Sequence, residues 1–147
     1  MRAVVTRVSE ASVMIDGACR GRIGRGFLVL LGVGPLDTER EAERLADRVC
    51  GVRVFEDEAG KMNLNLAAVD GSLLVVSQFT LYADLKSRRP GFSRAAKPEL
   101  AEPLYEHFIR ECEARGFHVE HGEFGAEMKG ASVNDGPVTL LFDTDEA

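Results

Sequence analysis

A chain of 147 residues, 45% hydrophobic and 29% charged, has the length and balance of one globular domain; at that size about 70% of the unfolded surface can be buried without a disulfide or metal. Cys19, Cys50 and Cys112 are odd in number, widely spaced and form no C-x-x-C pair, which argues against a disulfide framework or zinc site and for reduced thiols. The net charge of −6 argues against a protein that coats nucleic acid, and with neither a signal-peptide pattern nor a run of membrane-spanning length the expectation is a soluble, cytoplasmic protein.

Residues 2–8 and 11–15 alternate with period two and residues 26–33 form a continuous apolar run, so the first third reads as strands. The glycines at 21, 24 and 26 lie between strands with no helix directly after them, so they read as turn residues and not as a dinucleotide fingerprint. The first helix is marked by a capping-box pair, Thr38 with Glu41, and by Ala42, Leu45, Ala46 and Val49 on one face, with Gly51 ending it. Residues 52–55 read as a strand, 56–60 as a turn, 62–66 as a short extended stretch, and 72–82 as the strongest strand of the chain. A polar loop covers 84–98. A second helix follows, ending near Arg115-Gly116, with Leu104, Tyr105, Phe108, Ile109 and Cys112 on one face. Its start is left open between Pro98 and Pro103, which both suit a first turn. Residues 117–120, 127–133 and 138–142 read as closing strands. Many strands with two separated helices imply an α+β fold, a single domain over 1–147 with a mostly antiparallel, curled or barrel-like sheet.

Charge is unevenly spread along this framework. Residues 86–98 carry Lys86, Arg88, Arg89, Arg94 and Lys97 with no acid, a local +5, while residues 99–147 hold a local −9. The basic loop could touch a few phosphates or be an ordinary solvated loop.

Few residues stand out as carriers of chemistry. In the run Ser77-Gln78-Phe79-Thr80 a strand would place Gln78, Thr80 and Tyr82 on one face, where they either satisfy neighbouring backbone or line a pocket. Asn134-Asp135-Gly136-Pro137 lies between two strand-like runs and reads either as a hairpin turn or as a rigid segment presenting bare backbone carbonyls to a ligand. His107, His118 and His121 show no metal-ligand spacing, no serine sits in a G-x-S-x-G elbow, and no carboxylate pair stands apart from the surface acids. Neither a metal nor a cofactor is expected.

Two motifs together suggest a family. Ser77-Gln78-Phe79-Thr80-Leu81 and Asn134-Asp135-Gly136-Pro137-Val138-Thr139 resemble the two signatures of the D-aminoacyl-tRNA deacylases. The likeness runs nearly end to end, through the Met1–Val5 start with Arg7, Phe55-Glu56-Asp57-Glu58 on to Lys61-Met62-Asn63, and Phe124-Gly125-Ala126. Thr6, Ser87-Arg88, Gly91 and Lys129-Gly130-Ala131-Ser132 depart from the family pattern, in places that bear on loop shape and tRNA preference and leave the reaction type untouched.

The resemblance implies a homodimer that hydrolyses the ester joining a D-amino acid, or glycine, to the acceptor end of tRNA, including glycine mischarged on tRNA(Ala). It implies a cis Gly136-Pro137 bond, with that motif entering the active site of the other subunit, holding the substrate's amino group and excluding an L side chain. Arg7 matches a residue that braces the motif, and Asn134 belongs to the same substrate-binding segment. Ser77, Gln78, Phe79 and Thr80 would line the pocket for the terminal adenosine and the ester. The RNA 2′-hydroxyl would assist the attack, and N–H groups near Phe79 and Thr80 would stabilise the oxyanion. Neither membrane nor DNA is an expected partner. Two other readings are a catalytically idle tRNA-binding or editing-accessory module and a small-ester hydrolase that uses Thr80.

Overall fold

The computed structural model describes residues 1–146. Its organising element is the long strand β1 (Arg2–Ile15). At its end Asp16 and Gly17 both take positive φ, 49° and 78°. That Asp-Gly pair turns the chain into an antiparallel hairpin with β2 (Ala18–Ile23), the geometry such a two-residue turn favours. β3 (Gly26–Gly32) then returns along the other half of the same edge, pairing antiparallel with Arg2 to Val8.

From β3 the sheet continues with parallel neighbours, β3 being followed, after short strands β4 (Phe55–Glu56) and β5 (Met62–Leu64), by β6 (Ser72–Ser77) and finally β7 (Val119–His121). The opposite edge of β1 is covered along nearly its whole length by β8 (Lys129–Asp143). The sheet is therefore mixed, antiparallel around β1 and parallel from β3 to β7. It curls until its two ends meet: a Cβ on Gly21 of β2 would lie 2.8 Å from the His121 carbonyl oxygen of β7. Glycine is what lets these backbones approach, and the result is a nearly closed barrel.

Alternation along the central strands gives the sheet two apolar faces. Phe27, Val29 and Leu31 of β3, with Leu73 and Val75 of β6, pack under the helices α1 (Glu39–Gly51) and α2 (Pro98–Ala114). Leu28, Leu30, Leu74 and Val76 point the other way, toward Val8, Val13 and Ile23. The expected capping box opens α1, with Thr38 accepting from the Arg40 N–H and Glu41 from the Thr38 N–H. α2 starts at Pro98, its first-turn position, and Pro103 lies inside the helix at an exposed site, where water can take the Glu99 carbonyl that Pro103 leaves without a donor. Leu104, Tyr105, Phe108 and Cys112 are buried, each large side chain contributing roughly 1.5–3 kcal/mol. The Tyr105 hydroxyl also donates to the Val75 carbonyl at 3.1 Å, tying α2 to the sheet. The Cys50 and Cys112 sulfurs meet at 3.8 Å between the helices as free thiols.

The expected strands differ from the observed ones in several places. Only Phe55 and Glu56 pair in the 52–56 region, and the strand expected at 117–120 is Val119–His121. The strand expected over 72–82 stops at Ser77, and Phe79–Tyr82 forms a short 3-10 turn. Its partner β3 runs out at Gly32, and the chain folds over that glycine: a Cβ there would lie 3.0 Å from Leu81 Cβ and 3.1 Å from the Gln78 carbonyl. The facing set predicted by strand periodicity is thereby lost, since Tyr82 is buried while Phe79 and Thr80 are exposed. Nor is there a hairpin at Asn134–Pro137. Both flanks pair with β1 in the same direction, so the two expected strands are one, β8, interrupted by a bulge.

Candidate active site

The turn after β6 is the wall of a cavity of about 910 Å³. Its floor is apolar, from Leu28, Leu30 and Val76 on the sheet and Met128 before β8. One side is Ser77 to Thr80; another is the start of α2, with Ala95 to Pro98 and Ala101; Phe124 to Glu127 form a third. An apolar hollow edged by a few polar groups is the usual form of a small-ligand site.

All four residues expected from the first motif, Ser77, Gln78, Phe79 and Thr80, line this cavity. The Gln78 N–H makes the last ladder bond, to the Leu31 carbonyl at 2.8 Å, before the chain leaves the sheet. Among the described residues no acceptor takes the N–H of Phe79 or Thr80, so both remain available at the cavity wall. The Thr80 hydroxyl accepts from the Gln78 side-chain amide, and among the described residues it makes no hydrogen bond to a histidine, lysine or carboxylate. The Phe79 ring packs edge-on against Phe92 at 5.0 Å, at the rim.

The turn is clamped from behind. Arg2 Nη1 donates to the Leu81 carbonyl at 2.9 Å, its guanidinium lies 4.4 Å from the centre of the Tyr82 ring, and its Nε donates to Asp143 at 3.0 Å. Partial burial pushes the Asp143 carboxyl up, but its bonds from the Asp145 N–H and Arg2 outweigh this and hold it below the ordinary 3.8. Burial, with Asp37 nearby, pushes the Tyr82 phenol well above its ordinary range, so it stays neutral.

The second motif is built as a bulge. Thr6 pairs with Thr139 and Val8 with Asn134, so residues 135–138 leave the ladder opposite the single residue Arg7. Asn134 spans the bulge: its Oδ1 accepts from the Val138 N–H at 2.8 Å and its Nδ2 donates to Thr139 Oγ1 at 2.9 Å. Arg7 is only 6% exposed, unusual for arginine unless it is paired. Its Nε donates to the Asp135 carbonyl at 2.8 Å and its Nη1 to the Val54 carbonyl. The Gly136-Pro137 peptide is cis, and Gly136 has φ +139°, a conformation that side chains rarely adopt. A Cβ there would also meet Val138 Cγ2 at 2.8 Å and Arg7 Nη2 at 3.0 Å.

Arg7, Asn134, Gly136 and Pro137 are thus brought together, but none of them lines the cavity of their own chain. The two motifs form separate clusters within the chain. Sequence reasoning missed Phe92 at the cavity, whose signal was an aromatic side chain set in a polar, glycine-containing loop, and it named Phe124 in the family likeness without giving it a place in the site. Glu39, Glu43 and His107 are the one acid-and-histidine group close enough to hold a metal among the described residues, and they too lie outside the cavity. A second hollow of about 620 Å³, beside Arg20, Arg110, Glu102, Glu106 and Glu123, mixes charges of both signs and contains neither motif.

The D-Tyr-tRNA(Tyr) deacylase family model matches residues 4–143, nearly the whole chain. The chain belongs to that family. The D-aminoacyl-tRNA deacylase of Symbiobacterium thermophilum is 54% identical over 147 residues, covering 99% of this chain and 97% of its own. That of Roseiflexus castenholzii is 56% identical over 145 residues, covering 98% and 92%. Among solved structures, the c-Myc DNA unwinding element binding protein superposes with a TM-score of 0.92 at 39% identity, covering 98% of this chain and 99% of its own. A probable eukaryotic D-amino acid tRNA deacylase, 16% identical, superposes with a TM-score of 0.84 over 96% and 97%, a likeness of fold alone. As a member of the deacylase family the chain is an ester hydrolase, and its α+β, barrel-like fold is the one expected.

Proposed function

We propose that this deacylase removes D-amino acids, and glycine mischarged on tRNA(Ala), from the 3′ end of tRNA, and that it does so as a homodimer in the cytoplasm. The observation that carries the reading is the Phe79–Thr80 turn: two N–H groups without acceptors at the wall of an apolar cavity. Such donors suit the oxyanion of an ester under attack, and removing one donor of this kind from a hydrolase costs roughly 10²–10³ in turnover. Among the described residues no base hydrogen-bonds the Thr80 hydroxyl, so the RNA 2′-hydroxyl next to the ester is the group that assists the attack. The terminal adenosine takes the apolar floor.

Chirality resides in Gly136-Pro137 of the other subunit. The motif stands exposed on β8, where residues 129–137 are all exposed, the outer strand edge is unpaired, and Val133 and Leu141 are 50% and 83% exposed. An unpaired, partly apolar strand of this length suits a second copy of the chain, which would bring the motif to the partner's cavity. There the backbone carbonyls of Gly136 and Pro137 hold the substrate's amino group and leave room for a hydrogen, but no side chain, on the L side. Glycine has no side chain to exclude and passes the same filter.

The test is hydrolysis of matched D-tyrosyl-tRNA and L-tyrosyl-tRNA by the pure protein. Rapid loss of the D ester alone is expected. Hydrolysis of neither would favour an idle tRNA-binding module, and equal cleavage of an ester lacking the 2′-hydroxyl would favour a small-ester hydrolase acting through Thr80.

A further inference from the structure

Between the Phe79–Tyr82 turn and α2 the chain forms a loop with an unusual charge balance. Lys86, Arg88, Arg89, Arg94 and Lys97 give residues 86–98 a charge of +5, which leaves −11 on the rest of a chain whose total is −6. Among the described residues the ion pairs involve Arg2, Arg115, His107, His118 and the terminal ammonium, so none of these five is engaged; what sets them apart from the other exposed cations is that they fall within one short, acid-free stretch.

The loop is nonetheless shaped. Asp84 and Gly91 exchange backbone bonds of 2.7 and 3.0 Å, closing its neck. The Ser87 hydroxyl accepts from the Arg89 N–H at 3.1 Å and donates to the Arg89 carbonyl at 3.2 Å, turning the tip that carries Arg88 and Arg89. The Ala96 N–H bonds to the Val33 carbonyl at 2.9 Å, and Phe92 packs on Phe79 at the cavity rim. The returning arm of the loop, with Phe92 and Lys97, lines the cavity, and the closed neck and turned tip carry the other four cations on that same loop.

We propose that this loop grips the phosphates of the RNA acceptor stem, steering the duplex next to its 3′ end across the cavity mouth while the acidic remainder of the protein repels it elsewhere. The proposal rests on the reading of the cavity as the site for the RNA 3′ end. Its energetic content is counterion release: each phosphate neutralised by a lysine or arginine adds affinity that falls with salt. A grip of this kind acts on the duplex and leaves the ester untouched, so it sets KM and not the chemical step.

The experiment measures binding of an uncharged acceptor-stem RNA hairpin to the full chain by fluorescence anisotropy across a salt series, which needs no hydrolysis. The wild type is compared with Arg88→Ala/Arg89→Ala and with the charge-reversed Arg88→Glu/Arg89→Glu; neither arginine lines the cavity. Expected are affinity weaker by roughly tenfold or more and a log–log salt slope shallower by about 0.9 for each phosphate that is no longer neutralised. A D-aminoacyl ester of adenosine alone, which carries no phosphate, should be cleaved by the variants at the wild-type rate. The proposal is overturned if the wild type fails to bind the hairpin, if the variants bind it with unchanged affinity and slope, or if cleavage of the adenosine ester falls in step with binding. Failure of the wild type to cleave D-aminoacyl esters, with hairpin binding and its loss in the variants intact, would instead overturn the hydrolytic reading and leave the phosphate grip standing.

Discussion

Replacing Arg7 by alanine removes a guanidinium that joins two otherwise separate segments. Its Nη1 serves the carbonyl of Val54, which is only 6% exposed, and its Nε serves the carbonyl of Asp135, an exposed residue. Water can replace the second bond, so its loss costs about 1 kcal/mol, whereas the buried Val54 carbonyl loses a charged donor at about 2 kcal/mol. The sum, about 3 kcal/mol, corresponds to a fall in Tm of roughly 10 °C for a chain of this size. Arg7→Lys keeps the charge but not the fork, reaches one carbonyl at a time, and should lose about half as much. Because Arg7 fixes the carbonyl next to Gly136, both variants should also hydrolyse L-aminoacyl-tRNA faster relative to D. Thermal unfolding and paired D and L deacylation rates measure the two effects. An alanine variant that unfolds within 2 °C of wild type, at about the resolution of the scan, with an unchanged D-to-L ratio, would refute the bracing role.

Other substitutions probe the remaining parts. Gly136→Ala must adopt φ near +139° and push against Val138 and Arg7, so it should cost about 2–4 kcal/mol by denaturant unfolding and relax chirality before it slows D-ester cleavage. Thr80→Ala should keep turnover near wild type; a loss of several orders of magnitude with substrate binding intact would make Thr80 a direct participant. Phe79→Pro removes one N–H at the first position of a 3-10 turn, after a residue whose backbone lies outside the helical region (Gln78 φ −141°, ψ 82°), so the fold should tolerate it while turnover falls by roughly 10²–10³. Asp143 sits below its ordinary 3.8 when folded, so it contributes stability above that pH that is lost as pH falls through its folded value. Asp143→Asn should therefore be less stable than wild type at neutral pH, with the difference closing under acid; a gap that persists at pH values about two units below the ordinary aspartate range would show that the Arg2 clamp does not depend on that charge.

Periodicity found the elements whose neighbours agree with them. α1 was legible from Thr38, Glu41 and its apolar stripe because cap and core face lie within one short segment. β6 was overextended because Leu81 and Tyr82 look like strand residues locally, while the stop is imposed from outside, by β3 ending at Gly32. The bulge at Asn134–Pro137 was equally hidden, since Asp-Gly favours a hairpin locally and only pairing of both flanks with β1 forbids it. The curl of the sheet depends on Gly21 meeting His121, an approach across the chain that no local pattern announces. Within the site, the motif residues were found by resemblance. Phe92 was not, because its place at the cavity follows from the loop path and not from spacing.

The central claim is that the cavity of one protomer and the Gly136-Pro137 motif of its partner make a single chiral site. A mixed dimer tests it most directly: one protomer carrying Phe79→Pro, the other Gly136→Ala, purified through two different tags. The only working cavity then belongs to the Gly136→Ala protomer, and the only intact motif belongs to its partner. The account predicts wild-type preference for D-tyrosyl-tRNA over L-tyrosyl-tRNA in the mixed dimer, although the Gly136→Ala homodimer has lost it. If the mixed dimer instead hydrolyses L-tyrosyl-tRNA as freely as the Gly136→Ala homodimer does, the motif acts within its own chain and the shared site is wrong.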